Sequence, residues 1–317
     1  MKTSISLFGL GGCGINLMKK ILKENKEYFD GIDCTAIDTS ESNISDLPDY
    51  VDLKQVTTKG SGKDRSLNKD LIYDQIENMD FTREIGDVNV IICSFAGGSG
   101  SIMANILAMR ILIENKKNVV VMGVISKDSQ KSYENCLETL QSFSRTASTY
   151  KKYIPVMLYD NDGGRRIVNE SVVKDFDNLM YVLNRDIEEL DHTDKMNFLN
   201  PTTINTKLFG VFQMGTSCTG ELGEYTEETK GANCIYIRPS KTIHSILCTN
   251  PDGIVNKSIK ALVDYVGIDD EDYMLINGVQ VNQELITGLK AGIELYKSRS
   301  VNDAMDLGDI DETDGII

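Results

Sequence analysis

Two glycine-rich segments carry the residue types needed to bind a polyphosphate. The first, Gly9-Leu10-Gly11-Gly12-Cys13-Gly14-Ile15-Asn16, follows the apolar run Ile5-Ser6-Leu7-Phe8. The second, Ala96-Gly97-Gly98-Ser99-Gly100-Ser101, follows Val88-Asn89-Val90-Ile91-Ile92-Cys93. A glycine loop that leaves a strand and opens a helix presents backbone N–H groups and a positive helix end, and both attract anions. Ser99 and Ser101 add hydroxyls that donate to a phosphate oxygen or reach a bound Mg²⁺. A third segment, Gly60-Ser61-Gly62-Lys63-Asp64-Arg65, supplies further backbone and two cations. Read alone it is a solvated surface loop. Read with the other two it completes a triphosphate site in which Lys63 or Arg65 offsets negative charge. No GxxxxGK[ST] run occurs, which excludes a P-loop site. Gly9, Gly11 and Gly14 also fit GxGxxG, and Asp38 ends the next strand, where a dinucleotide fold holds its ribose. An NAD-dependent Rossmann-type enzyme therefore stays open on the first loop, but it leaves the second unexplained.

The elements that would position these loops alternate. Strands are expected at Ser4–Phe8, Cys34–Ile37, Val88–Ser94, Val119–Ile125 and Ile154–Leu158. Helices are expected at Ile15–Glu27, Leu67–Asn78, Ser101–Glu114 and Tyr133–Thr146. Short Val- and Ile-rich strands separated by helical patterns predict an α/β fold with a parallel sheet covered on both faces. Ligand sites in such sheets lie beyond the carboxyl ends of the strands, where both glycine loops fall. A long helix is expected over Arg165–Glu189, with Val172, Phe176, Leu179, Leu183 and Ile187 at helical spacing. Beyond Asn200-Pro201 the pattern predicts strands at Lys207–Met214, Asn233–Arg238 and Tyr273–Ile276, and helices at Ile254–Val266 and Gln283–Arg299. These form a smaller α/β domain whose strands pair with one another.

Composition narrows the function class. The 317 residues are 41% hydrophobic, which a globular chain requires. Net charge is −15, so direct nucleic-acid binding is not expected. No apolar run reaches membrane-spanning length and no signal peptide is evident, so a cytoplasmic protein with no membrane contact is expected. The seven scattered Cys form no metal pattern and read as free buried thiols. The end of the chain carries Asp303, Asp306, Asp309, Asp311, Glu312 and Asp314 without a basic residue. It is either a solvated end or an arm that docks on a partner.

Gly9–Asn16 resembles the first phosphate loop of the tubulin/FtsZ superfamily. Ala96–Ser101 resembles that family's signature GGGTGSG, with Ser99 at the usual threonine and Ile102 at the last glycine. Gly60–Arg65 resembles the loop that senses the γ-phosphate. Asn161-Asp162 and Asn169-Glu170 resemble positions that hydrogen-bond guanine, for which an amide offers both donor and acceptor. Asp191 and Asp194 form a DxxD pair resembling the loop that enters a neighbouring subunit's nucleotide site. Read alone, that pair is the solvated C-terminus of the long helix, where carboxylates oppose the helix dipole. The resemblance implies a GTP-binding domain over 1–164, a central helix over 165–190, an activation domain over 191–300 and an acidic tail over 301–317. It implies GTP/GDP and Mg²⁺ held by Gly11, Gly12, Cys13, Asn16, Asp38, Gly60, Ser61, Gly62, Lys63, Gly97, Gly98, Ser99, Gly100, Ser101, Asn161 and Asn169, the metal mainly through the phosphates. It further implies catalysis by Asp191 and Asp194, assembly of the chain with itself into filaments, and tail contact with the adjacent subunit. The length and acidic end are similar to those of phage-encoded tubulins, which implies a spindle or DNA-positioning role in an infected host's cytoplasm. A tubulin-like regulator that binds GTP without hydrolysing it is the other alternative, and the DxxD pair argues against it.

Overall fold

The computed structural model describes residues 3–24, 31–40, 43–44, 46–56, 62–81, 84–184, 191–203, 206–215, 233–238, 243–247, 273–281 and 283–302. Gly60, Ser61, the helix expected over Ile254–Val266 and the acidic tail lie outside the described residues. The strands are β1 (Ile5–Leu10), β2 (Ile32–Asp38), β3 (Asp52–Gln55), β4 (Val88–Ser94), β5 (Asn118–Ile125), β6 (Tyr153–Asp160), β7 (Gly210–Gly215), β8 (Asn233–Arg238), β9 (Ile243–Leu247) and β10 (Tyr273–Gln280). The described helices are α1 (Gly11–Glu24), α2 (Lys69–Asn78), α3 (Ser99–Ile113), α4 (Gln130–Tyr150), α5 (Arg165–Asn184), α6 (His192–Leu199) and α7 (Gln283–Asn302).

One sheet runs in the order β3-β2-β1-β4-β5-β6-β7-β10-β8-β9. Every pairing from β3 across to β7 is parallel, whereas β10 pairs antiparallel with β7 and β8, and β8 with β9. The late strands do pair among themselves, as expected. They are nevertheless continuous with the parallel sheet, because β7 lies parallel to β6 at Tyr153–Val156. The physical origin of the layers is visible in the alternation of side chains. Ile5, Leu7, Val90 and Ile92 enter one core with Ile15 and Met18 of α1 and Val172, Phe176 and Leu179 of α5. Phe8, Leu10, Ile91 and Cys93 enter the other with Ile72 of α2, Met103 and Leu107 of α3, Phe143 of α4 and Leu289 of α7. Both faces are thus covered, which is why these strands read as unbroken apolar runs.

Two differences from expectation bear on the site, at the start of α1 and at the DxxD pair. Helix α1 starts at Gly11 rather than Ile15, so the first glycine loop is itself the opening helical turn. Helix α5 is described to Asn184, and residues 185–190 lie outside the described set. The DxxD pair is not at a helix C-terminus: Asp191 is the N-cap of α6. There its carboxylate complements the helix dipole instead of opposing it.

The strand order places β1 beside β4 at the point where the chain reverses its direction of addition to the sheet. That is the crevice at which open α/β sheets bind ligands. Glycine is required to close the crevice. A Cβ on Gly14 would lie 2.1 Å from the Ile92 carbonyl oxygen, and one on Gly100 would lie 2.8 Å from the Leu10 carbonyl oxygen. Gly11 has φ +66°, and its Cβ would meet Gly100 Cα at 3.1 Å. The two loops therefore touch backbone to backbone.

Substitution of Gly14 by Ala should cost about 3 kcal/mol, because the obstacle is a strand carbonyl that cannot turn aside. Gly288→Ala, in α7 with open space at the Cβ position, should instead stabilise by about 0.5–1 kcal/mol. Urea denaturation at constant m-value checks both. A Gly14→Ala protein as stable as wild type would refute the close approach.

Candidate nucleotide site

A cleft of about 690 Å³ opens at the carboxyl ends of β1 and β4. It is lined by Gly11, Gly12, Cys13 and Asn16 of α1, Asp38 at the end of β2, and Gly62 and Lys63. Gly97, Gly98, Ser99 and Gly100 line the opposite wall, and Asn161 and Asn169 lie at the α5 end. The structure thus brings together every described residue expected to bind nucleotide except Ser101. Neither α1 nor α3 carries an acid in its first turn, and the N-cap of α3, Gly98, makes no side-chain cap bond. Two positive helix ends therefore meet one cavity, a donor set suited to phosphate.

Ser101 is fully buried behind the second loop, not in the cleft. Its hydroxyl proton is shared between the Gly97 and Gly98 carbonyls at 2.6 and 3.0 Å. Arg65 also differs from expectation. Its guanidinium lies under the loop, donating to Ser101 Oγ and to Thr139 Oγ1 at 2.7 Å and pairing with Glu138 at 3.2 Å. Of the two cations, only Lys63 lines the cleft. Lys63 has φ +67°, and its ammonium contacts Asp128 and Ser132 at 3.1 Å. Hydrogen bonding by the Ser132 hydroxyl, aided by Lys63, holds the Asp128 carboxyl below its usual range. Asp128 is thus an ionised group of the cleft wall that Lys63 balances.

Asp38 is fixed by the Thr39 N–H at 2.6 Å and the Asn43 amide at 2.8 Å. The Thr39 hydroxyl donates to Ser99 Oγ at 3.2 Å, tying the end of β2 to the second glycine loop. Asn161 sits in a 3-10 turn, Asn161–Gly163, that Asp160 caps by accepting the Asp162 N–H at 3.1 Å. Lys127 pairs with Asp160 and, at 3.3 Å, with Asp162. Burial pushes the Cys13 thiol up to about 11 against the opposing charge of Arg165, so it stays neutral in the cleft wall. Cys34, Cys93 and Cys136 are free and buried, as expected.

Sequence reading missed Thr39, Ser40, Asn43, Ser126, Asp128 and Arg165, all of which line the cleft. Most lie just past β2 and β5, so polar residues at strand carboxyl ends were the available signal. Asp191 and Asp194 do not line it. They form a capping box, with the Asp194 N–H donating to Asp191 Oδ1 at 2.9 Å and the Asp191 N–H to Asp194 Oδ2 at 3.2 Å. The box engages one oxygen of each carboxylate. Lys195, buried on the same helix, donates to the Leu183 carbonyl at 3.3 Å and anchors α6 to the far end of α5.

Residues 4–169 match the family model described as Tubulin/FtsZ family, GTPase domain. A phage tubulin-like protein of Pseudomonas phage 201phi2-1 is 23% identical over 328 residues, covering 100% of both chains. Another phage tubulin-like protein, from Pseudomonas phage phiKZ, is 27% identical over 181 residues, 55% of this chain and 52% of that one. Among solved structures, the GDP form of the phage tubulin PhuZ superposes with TM-score 0.77 at 19% identity, covering 99% of each chain. The PhuZ201 filament gives 0.75 at 20% identity, covering 99% of this chain and 97% of the other. The match spans both glycine loops, the Asp38 strand and the start of α5, and on it the chain belongs to the tubulin/FtsZ family, carrying that family's GTPase domain.

Proposed function

We propose that the protein binds GTP with Mg²⁺ in this cleft, assembles with itself head to tail, and hydrolyses GTP at a site the adjacent subunit completes. The observation that carries the binding step is the convergence of two glycine-opened helix ends on one crevice. A nicotinamide dinucleotide would need the first loop and Asp38 but not the second loop. Asn161 and Asn169 supply the amide chemistry that suits the guanine edge. Among the described residues no cluster of three carboxylates, imidazoles or thiolates could hold a metal unaided. The phosphates would carry most of the Mg²⁺ coordination, with Asp38 and Asp128 the carboxylates in the cleft wall. The metal would neutralise charge on the transferring phosphoryl group.

Distance supports the reading in which a second subunit completes the site. Arg165 and Asn169 line the cleft at the start of α5, and Lys195 ties α6 to Leu183 at its end. A 20-residue helix spans about 30 Å. One chain's Asp191 and Asp194 are therefore about a helix length from its own phosphates, and in this reading they serve a neighbour's. One carboxylate orients the attacking water or takes its proton, the other holds that water or the metal, and GDP and phosphate leave. Residues 1–164 then bind nucleotide, α5 is the spacer, and residues 191–300 meet the next subunit. Two solved relatives are described as a filament and a protofilament, which supports self-assembly. The acidic tail would dock on the adjacent subunit, and the setting would be an infected host's cytoplasm, with spindle or DNA positioning as the role. Among the described residues no helix is long and apolar enough to cross a membrane.

In a filter-binding competition, GTP should outcompete ATP and NAD by at least roughly a hundredfold, since an adenine edge would leave the amides unpaired. Equal competition by ATP would overturn the guanine assignment. Asp191→Asn keeps the helix cap, because Asn caps about as well as Asp, but removes the charge. It and Asp194→Ala should bind GTP nearly as wild type yet lose about a hundredfold or more in turnover, with filaments that persist. Wild-type turnover in either variant, or specific activity independent of protein concentration, would exclude the shared site. Deleting residues 303–317 should raise the critical concentration in a sedimentation assay, and unchanged assembly would leave the tail a solvated end.

A further inference from the structure

The second glycine loop is held from behind by a buried polar cluster on α4. Asn135, 1% exposed, donates one amide hydrogen to the Ala96 carbonyl at 2.9 Å and the other to the Lys63 carbonyl at 2.8 Å. Thr139, fully buried, shares its hydroxyl proton between the Asn135 carbonyl at 2.6 Å and the Phe95 carbonyl at 3.1 Å. Ser101 binds the Gly97 and Gly98 carbonyls. Arg65, its side chain 12% exposed, donates to both hydroxyls. Four consecutive carbonyls, from Phe95 to Gly98, are thus turned toward α4 or the start of α3.

In a planar trans peptide the next N–H points opposite to the carbonyl. The Gly97 N–H closes a turn onto Ser94 at 3.2 Å, and the next N–H, that of Gly98, lies opposite the Gly97 carbonyl held by Ser101, in a residue that lines the cleft. A buried guanidinium is costly unless its donors are matched, and here each match also restrains a loop. We propose that Asn135 and Arg65 are positioning residues for phosphate binding, which fix the direction of the second loop's amides and join the Lys63 segment to it as one unit. Neither side chain lines the cleft, so they act through the loops they hold.

This inference rests on the GTP-binding reading above, and the test separates the two. Asn135→Leu removes both donors at similar volume, and Thr139→Val removes one hydroxyl almost isosterically. Binding of guanosine, GDP and GTP is measured by competition against a fluorescent GTP analogue on dilute protein, with thermal melts on each variant. Asn135→Leu should weaken GTP about tenfold or more, GDP by less, and guanosine hardly at all. Thr139→Val should show the same order with smaller steps, and it carries the test if Asn135→Leu does not fold. A general structural defect would instead lower all three ligands together, and that result, or no change in any, would overturn the proposal. Wild-type protein that fails to bind GTP would overturn the GTP-binding reading itself. Wild-type binding with both variants unmoved would overturn only this inference.

Discussion

The backbone-to-backbone contact of the two glycine loops is the constraint on which the site depends. Strands β1 and β4 are neighbours about 4.8 Å apart, as hydrogen-bonded strands must be, so the chains leaving them have almost no room between them. Side chains at positions 11, 14 or 100 would wedge them apart. With none present, α1 and α3 begin side by side and their positive ends add. Each such end favours an anion by about 0.3–1 kcal/mol when exposed, and more in a partly buried cavity. The sum matters in a chain of net charge −15, whose overall field repels polyanions. Local amide donors and Lys63 must overcome that field.

The sheet does not decide which nucleotide binds. The order β3-β2-β1-β4-β5-β6 is also that of dinucleotide-binding folds, and the same crevice would accept the pyrophosphate of NAD. The distinction lies in the loop after β4. In this chain it carries three glycines, has its carbonyls tied back and presses against the first loop. Function here belongs to a site on a shared scaffold, and the loop residues carry the argument.

Much of this was legible in the sequence. The strands β1, β4, β5 and β6 are continuous Val- and Ile-rich runs, because both their faces are buried, and the glycine loops follow directly. What was hidden has physical reasons. Glycine has low helix propensity, so periodicity finds α1 only at Ile15, although the structure starts it at Gly11. Helix α6 has eight residues, too few for a periodic pattern, so its cap was read as the end of the preceding helix. Edge strand β3, Asp-Leu-Lys-Gln, has little apolar content to mark it. Asp128, Asn43 and Arg165 belong to no motif and reach the cleft only through the parallel order of the strands. Arg65 looked like a phosphate ligand because a cation beside a glycine loop usually faces solvent. Its burial depends on Thr139 and Glu138, distant in sequence.

The Asp191–Asp194 pair shows how a structural role and a proposed chemical one can coexist. A capping box accounts for two carboxylates three residues apart without any reaction, so spacing alone is weak support for catalysis. The support comes from placement. The box stands at the opposite end of α5 from Asn169, with Lys195 holding it there through the Leu183 carbonyl. In the reading proposed above, the roughly 30 Å of α5 keeps these acids from the phosphates bound at its other end. Under the proposed reading, a free subunit then holds GTP on preorganised amides and spares it. Hydrolysis waits for a second copy of the chain to bring the capped carboxylates to the cleft, so assembly itself sets the timing of the chemistry.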